Sequence, residues 1–407
     1  MKSSNSISKK LFAGLVVAVL GLCSISAVHA QFTFSESFNG SNGVNPYGGL
    51  TLVGGTLYGT TVHGGANGTG TVFSLPVTGG APTTLASFTG SNGANPYGDL
   101  TLLGGTLYGT NLHGGANGDG TVFSMPVTGG ATTTLASFNG SNGADPFAGL
   151  TLAGNTLYGT TVLGGTNGAG TVFSLPVTGG APTTLASFTG SNGANPYGGV
   201  TLVGGTLYGT TVNGGANGDG TVFSVQDTGG APTTLADFNG SNGANPYATL
   251  TLVGSTLYGT TFQGGANGVG TVFSLPVTGG APTTLASFTV TDGSYPAAAG
   301  LTLVGDTLYG TTTAGGATDN GTIFSLPVAG GPLTTLVSFN VTDGADPDAG
   351  LTLVGSTLYG TTYQGGVVNN DGTVFALSVP EPSTWALLLG GLGLLAFWRL
   401  RTRRTLV

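Results

Sequence analysis

The strongest constraint on this chain is a unit of about 50 residues that occurs seven times in tandem. The phrase Thr-Leu-Tyr-Gly-Thr recurs with its tyrosine at positions 58, 108, 158, 208, 258, 309 and 359. A second phrase, Gly-Thr-(Val/Ile)-Phe, recurs with its phenylalanine at 73, 123, 173, 223, 273, 324 and 375. The copies occupy residues 31–379 of the 407. Tandem units bury their apolar faces against one another, so the middle of the chain must form one repeat architecture.

Each copy predicts four short strands. In the second full copy they are Thr83–Phe88, Asp99–Leu103, Thr106–Thr110 and Thr121–Met125. These segments are rich in β-branched and aromatic residues, and they alternate with a period of two. A Gly-X pair such as Gly104-Gly105 separates the second and third strands in every copy, as hairpin turns with positive φ require. No stretch of the middle has helical periodicity, so we predict an all-β domain.

The size of the unit and the ends of the array predict a closed ring. Four antiparallel strands in about 50 residues match a propeller blade, whereas the rung of a β-helix is much shorter. The seventh copy stops at Ser378 and lacks its last strand, while a strand over Phe32–Phe38 precedes the first copy. We predict that this N-terminal strand completes the last blade of a seven-bladed β-propeller, which hides the sheet edges.

Charge is distributed unevenly between the ends and the middle. All seven Lys and Arg residues lie outside residues 31–379, which carry every acidic residue except Glu381, or 14 of 15. Binding of nucleic acid needs cationic groups that release counterions, so we exclude it. The same absence excludes phosphate or carboxylate clamps built on Arg or Lys. We expect the acidity to serve solubility, with attraction of cations or basic surfaces as the alternative.

The N-terminus reads as a secretory signal peptide over residues 1–30. Lys9 and Lys10 precede an apolar run from Leu11 to Leu22, and Val28-His29-Ala30 offers small residues to signal peptidase. We therefore predict cleavage after Ala30. A retained membrane helix is the alternative. Cleavage removes Cys23, the only cysteine, and with it any disulfide or thiol chemistry.

The C-terminus, residues 380–407, combines three parts. Pro380-Glu381-Pro382 is followed by an apolar segment between Trp385 and Trp398, and then by an Arg-rich tail predicted to stay cytoplasmic, with Arg399, Arg401, Arg403 and Arg404. Fourteen residues of helix span roughly 21 Å, less than a hydrocarbon core of about 30 Å. We predict a short transmembrane helix that suits a transient anchor. An ordinary single membrane anchor is the alternative.

The C-terminal segment and the repeat each resemble a known sequence family. The C-terminal residues resemble the PEP-CTERM sorting signal, which implies recognition by an exosortase and cleavage near Pro380–Pro382. The resemblance also implies a Gram-negative-type bacterium that makes exopolysaccharide, with the mature protein at the cell surface or released. The repeat resembles the GloVer tandem repeat of exported bacterial proteins, which brings no established catalytic residues. Kelch repeats share the period and the Gly pairs, but the blade tryptophan is absent here.

Candidate catalytic and metal-binding residues are few. His63 and His113 occupy the same position in adjacent copies, where the other copies have Leu, Asn, Gln or Ala. We interpret them as surface-loop residues, with a metal or catalytic role as the alternative. Asp residues in Gly-rich loops make calcium the one cofactor to consider. The copies do not repeat a set of metal ligands, so we attribute these aspartates to turns, whose backbone conformations Asp tolerates. We predict no catalytic, cofactor-binding or metal residues.

The loop over Ser41–Tyr47 and its relatives in other copies place an aromatic residue after proline in five copies: Tyr47, Tyr97, Phe147, Tyr197 and Tyr247. Such rings can stack on sugars. The alternative, which we favour, is that each ring caps the core of its own blade. The tyrosines and the two histidines are therefore candidate ligand-loop residues.

Three functional hypotheses follow. The first is a non-catalytic surface or matrix component whose loops bind exopolysaccharide weakly and multivalently. The second is a propeller enzyme of the glycoside hydrolase or lyase type that acts on extracellular polysaccharide. The third is a structural coat protein without a specific ligand. Acidic residues clustered in a central pocket favour the enzyme, whereas aromatic and amide rims in every blade favour the binder.

Overall fold

The computed structural model describes residues 31–296 and 300–379, which form a seven-bladed β-propeller without a helix among the described residues. The predicted fold class is confirmed. The predicted signal peptide, with the cleavage site at Ala30, and the sorting segment 380–407 lie outside the described residues.

Each blade is an antiparallel sheet whose strands run in sequence order from the axis outward. Blade 1 comprises β2 (Thr51–Val53), β3 (Thr56–Thr61), β4 (Thr71–Pro76) and β5 (Thr83–Ser87). Blades 2 to 5 repeat this order. Blade 2 contains β6 (Thr101–Leu103), β7 (Thr106–Asn111), β8 (Thr121–Pro126) and β9 (Thr133–Ser137), and blade 3 contains β10 (Thr151–Ala153), β11 (Thr156–Thr161), β12 (Thr171–Pro176) and β13 (Thr183–Ser187). Blade 4 contains β14 (Thr201–Val203), β15 (Thr206–Thr211), β16 (Thr221–Gln226) and β17 (Thr233–Asp237), and blade 5 contains β18 (Thr251–Val253), β19 (Thr256–Thr261), β20 (Thr271–Pro276) and β21 (Thr283–Ser287).

The last two blades depart slightly from this order. Blade 6 contains β23 (Thr302–Val304), β24 (Thr307–Ala314), β25 (Thr322–Pro327) and β26 (Thr334–Ser338), and a short extra strand β22 (Ser294–Pro296) also pairs with β24. Blade 7 contains β27 (Thr352–Val354), β28 (Thr357–Thr362), β29 (Thr373–Ser378) and β1 (Gln31–Ser37).

The N-terminal strand closes the ring, as predicted. β1 pairs antiparallel with β29 from Gln31 opposite Ser378 to Ser37 opposite Thr373. The Phe32 ring lies 5.3 Å from Phe339 and 5.7 Å from Phe375 between centroids. The outer strand of the last blade therefore comes from the start of the repeat region. Strand pairing with β29 and ring contacts of Phe32 keep it in place.

The hydrophobic core lies between blades. Between blades 3 and 4 it joins Tyr158 and Val172 to Phe188, Leu207 and Phe223. Phe188 and Phe223 meet edge to face with centroids 4.9 Å apart, and equivalent phenylalanine pairs recur around the ring. Because each blade buries its apolar faces against two neighbours, no blade has a complete core alone.

A closed belt of hydrogen bonds also joins the inner strands. The Thr51 hydroxyl donates to the carbonyl oxygen of Leu100 in the next blade, and Thr352 closes the circle by donating to Leu50. The same bond links Thr101 to Leu150, Thr151 to Val200, Thr201 to Leu250, Thr251 to Leu301 and Thr302 to Leu351. We call these seven threonines the threonine belt.

The belt explains one difference from the predicted strands. The second strand of the second copy was expected from Asp99, but β6 begins at Thr101. The backbone just before it serves the neighbouring blade instead, since the Leu100 carbonyl accepts the Thr51 hydroxyl. Sequence alternation marks an extended segment but not the strand with which it pairs.

Candidate functional site

The longer loops of every blade gather on one face of the ring. In blade 1, Thr61 pairs with Thr71 and Thr71 pairs with Ser87, so the loop over 62–70 and the loop after β5 leave from the same sheet end. The short turns lie at the other end. We call the first side the long-loop face. All the predicted ligand-loop residues belong to these long loops.

An axial cavity of about 370 Å³ opens among the inner strands, and all seven blades line it. Its wall runs from Tyr47, Tyr97, Phe147 and Tyr197 down to the threonine belt. Between them the wall is mostly glycine and alanine, because the inner backbones approach closely. A Cβ added to Gly98 would lie 2.5 Å from the backbone of the next blade.

The rings of the long loops converge on this axis. Tyr47 lies 5.0 Å from Tyr97 and 5.2 Å from Phe147 between centroids, and Tyr97 stacks on Phe147 at 4.7 Å. The contacts extend through further half-buried rings: Phe147–Tyr197, Tyr197–Tyr247, Tyr247–Phe262, Phe262–Tyr295 and Tyr47–Tyr363. We call this series, from Tyr363 to Tyr295, the aromatic arc. The interpretation that each ring caps its own blade is wrong, because the rings pack against those of neighbouring blades.

Blade 7 replaces the aromatic residue after proline with Asp348, which lines the cavity with Tyr47 and Tyr97. Within the described residues, no hydrogen bond or ion pair engages its half-buried carboxyl group. Burial, with a smaller contribution from Asp346, raises the pKa of Asp348 to about 8. The group is therefore largely protonated at neutral pH when the cavity is empty.

The same environment raises the pKa values of the neighbouring tyrosines. Burial and then the charge of Asp348 raise the pKa of Tyr47 well above its ordinary value. Burial, with Tyr363 and Asp348 contributing, raises the pKa of Tyr97 to about 12. The pKa of Tyr363 is also raised, by burial and then by Asp348 and Asp346. These phenols stay neutral over the physiological pH range.

A second carboxyl group, Asp99, lies farther along the cavity wall, where the neighbouring copies have Gly49 and Gly149. It accepts a hydrogen bond from the backbone N–H of Gly49. Its side chain is open to the cavity but surrounded by protein on the other sides. Burial raises the pKa of Asp99, and the Gly49 hydrogen bond opposes this rise.

The two histidines lie on the long-loop face, each beside a loop of the following blade. His63 Nδ1 is 3.2 Å from Asn95 Nδ2, and burial lowers the pKa of His63. His113 Nδ1 is 3.5 Å from Asp145 Oδ1, and its side chain is 53% exposed. The sequence reading found no carboxylate pattern near the histidines, and the structure supplies a single partner, Asp145. The interpretation of both histidines as surface-loop residues stays a prediction, with a catalytic or metal role as its alternative.

The acidic loops do not converge on a metal site in the described part of the chain. Residues 31–296 and 300–379 contain no group of three or more His, Cys, Asp or Glu side chains able to hold a metal ion. Asp319 instead accepts the Gly315 N–H at 2.8 Å, and Asp343 accepts the side-chain amide of Asn340. Both aspartates therefore make hydrogen bonds within their own turns.

Sequence reasoning did not identify the cavity carboxyl groups as a pair. It placed Asp99 in a strand and attributed the loop aspartates, Asp348 among them, to turns. A comparison of the copies could have found them. Asp99 stands where most copies have glycine, and Asp348 stands where five copies have an aromatic residue.

The comparisons with solved structures agree with the fold. A protein assigned as a 6-phosphogluconolactonase from Bacteroides uniformis is 18% identical, with a TM-score of 0.50 over 77% of this chain and 88% of that one. A puromycin-hydrolysing peptidase from Mycobacterium tuberculosis is 14% identical, with a TM-score of 0.50 over 82% of this chain and 52% of that one. At these identities the likeness shows the fold alone. No curated protein sequence matches the chain.

The described segments, 31–296 and 300–379, contain no helix long and apolar enough to cross a membrane. The predicted C-terminal anchor lies outside them.

Two sequence families match the chain and confirm both resemblances. Residues 378–404 match the PEP-CTERM protein-sorting motif, which implies export and membrane-associated processing by an exosortase. Residues 21–218 and 203–388 match the Gloeobacter/Verrucomicrobia repeat. The chain therefore belongs to the Gloeobacter/Verrucomicrobia repeat family, and it carries a PEP-CTERM sorting motif after its propeller.

Proposed function

We propose that this protein is a non-catalytic binding component of the cell surface or extracellular matrix that associates with exopolysaccharide after exosortase processing. The observation that carries the proposal is the aromatic arc, four of whose rings line the axial cavity, in a chain with a sorting motif.

The arc has the properties of a carbohydrate platform. Its rings are half-buried and held by one another, so little side-chain entropy is lost when a ligand stacks on them. The phenol groups add hydrogen-bonding capacity near those apolar faces. A cavity of about 370 Å³ is large enough for part of a sugar chain.

The convergence of the rings changes the expected mode of binding. Rings from different blades form one composite arc, so we propose one axial site on each propeller instead of seven equivalent sites. Multivalency would then require several propellers on one polymer or surface.

Processing at both ends fits this role. Cleavage after Ala30 would leave Gln31, the first residue of β1, at the N-terminus and keep the closing strand intact. Exosortase cleavage near Pro380–Pro382 would leave residues 31–379, which complete every sheet of the ring. The removed segments would be the signal peptide and the short anchor with its Arg-rich tail.

Asp348 and Asp99 favour a second candidate, an enzyme of the glycoside hydrolase or lyase type. A carboxyl group that keeps its proton at neutral pH suits a general acid, and a second carboxyl group lines the same cavity. The similar solved structures bear on the fold only, so this candidate rests on the two carboxyl groups.

Binding of the purified 31–379 propeller to exopolysaccharide from the organism that carries the gene tests both candidates. Saturable binding with unchanged polymer length, weakened about tenfold by Tyr97→Ala, supports the binding role. Asp306→Asn, in a short turn on the opposite face, is the matched control and should bind like the wild type.

The same titration distinguishes the alternatives. Shortening of the polymer that Asp348→Asn abolishes and Asp306→Asn does not would replace the binding role with the enzyme. A folded propeller that neither binds nor shortens the polymer would contradict both.

A further inference from the structure

The position after proline in blade 7 carries a carboxyl group that has no hydrogen-bond or ion-pair partner among the described residues. Asp348 occupies the position that carries a ring in blades 1 to 5. It lines the same cavity as Tyr47 and Tyr97, and its charge acts on both phenols and on Tyr363. The carboxyl group thus shares the cavity with two tyrosines, and a third, Tyr363, packs against Tyr47 at 6.0 Å between ring centroids.

Nothing in the propeller neutralises this carboxyl group. Residues 31–379 contain 14 acidic residues and no lysine or arginine. The two histidines of this region are engaged elsewhere, His63 beside Asn95 and His113 beside Asp145. Asp348 therefore keeps its proton in the empty cavity at neutral pH, and a cation from outside would supply the partner that lets it ionise.

We propose that the axial cavity binds an organic ammonium cation, with Asp348 as its counter-ion, the ring faces of Tyr47 and Tyr97 beside it and Tyr363 next to Tyr47. The inference rests on the proposed binding role and names its ligand class. The ammonium group can be carried by an amino-sugar unit of a polysaccharide or by a free small molecule, since both present the same chemistry.

The site suits an organic ammonium better than other ligands. A metal ion needs several oxygen or nitrogen ligands, and no such group exists within the described residues. An anion would meet only negative charge. A neutral sugar would meet Asp348 in its protonated form and gain no charge pairing, whereas an ammonium gains both the carboxylate and the negative ring faces, a combination known to recognise quaternary ammonium groups.

Choline and its uncharged isostere 3,3-dimethylbutan-1-ol provide a matched pair of probes, because they share shape and differ in charge. Isothermal titration of the 31–379 propeller should show choline binding at least about tenfold tighter than the isostere. Asp348→Asn should remove most of this preference, while Asp306→Asn should keep it. Tyr97→Ala should weaken choline binding, and Tyr97→Phe should retain it.

The pH dependence separates a counter-ion from a merely structural residue. The charge of choline is constant, so its affinity should rise as Asp348 ionises through about pH 8. The groups facing Asp348 are Asp346, Tyr47, Tyr97 and Tyr363, and the phenols stay neutral in this range. Asp346→Asn should preserve the rise, and Asp348→Asn should abolish it.

A parallel titration with glucosamine and N-acetylglucosamine oligomers identifies the source of the ammonium. Preference for the glucosamine oligomer supports an amino-sugar ligand, and binding of choline alone supports a small free ammonium. Equal binding of choline and its isostere, unchanged in Asp348→Asn, would overturn the inference. If exopolysaccharide still binds in that case, the proposed function stands without it.

Discussion

Replacing Asn111 with threonine should stabilise the propeller. Six blades have threonine at this position: Thr61, Thr161, Thr211, Thr261, Thr312 and Thr362. In blade 3 the Thr161 hydroxyl donates to the Leu163 carbonyl at 2.9 Å and lies 2.8 Å from the Thr171 hydroxyl. Both contacts lie at the base of the long loop, where β11 and β12 separate.

Asn111 satisfies this buried position only in part. Its Nδ2 donates to the Thr121 hydroxyl at 3.0 Å, but its Oδ1 is buried without a hydrogen-bond partner among the described residues. An unsatisfied buried polar group costs about 1–3 kcal/mol, and threonine should also regain the bond to the His113 carbonyl. We expect Asn111→Thr to raise the free energy of unfolding by about 1–3 kcal/mol.

Guanidinium unfolding of the 31–379 propeller measures this difference, with Asn111→Thr compared with the mirror variant Thr161→Asn. The first should raise the midpoint and the second should lower it, with similar slopes. If Asn111→Thr is neutral or destabilising while Thr161→Asn is destabilising, the unsatisfied oxygen is not costly and the reasoning is refuted.

Three further predictions concern closure, pH and packing. Deletion of residues 31–38 should cost several kcal/mol and promote self-association, since it exposes the edge of β29; unfolding and light scattering measure both effects. The pKa of Asp348 is about 8 in the folded state and about 3.9 in the unfolded state, so the folded state keeps this proton to a higher pH. The free energy of unfolding should therefore fall as the pH rises from about 4 to 8. Unfolding experiments on Asp348→Asn should show a smaller fall over the same pH range. Gly159→Ala should cost about 1–3 kcal/mol because its Cβ would lie 2.7 Å from Phe173 Cζ, and a double-mutant cycle with Phe173→Leu should recover part of the loss.

The fold followed from the sequence because its determinants are local and repeated. The Gly-X pairs specify hairpin turns, and Gly104 adopts a φ of 55° as such turns require. The strand at Phe32–Phe38 revealed ring closure because it supplies the element that the seventh copy lacks. Repetition removed the ambiguity that a single copy would leave.

The site was harder to predict because it is assembled across blades. Phe262 and Tyr363 occupy a position where blade 1 has Val62, and Tyr295 occupies one where blade 2 has Asn95. Nothing local marks these residues as neighbours of Tyr247 or Tyr47. Only closure of the ring brings them into the aromatic arc and places Asp348 beside it.

The mass of the mature protein from its native host tests the central claim, that both ends are removed during export to leave the propeller. The account predicts a protein that begins at Gln31 and ends near Pro380–Pro382, with C-terminal processing lost when the exosortase gene is deleted. A surface protein that keeps residues 383–407, or whose C-terminus is unchanged without exosortase, would contradict it.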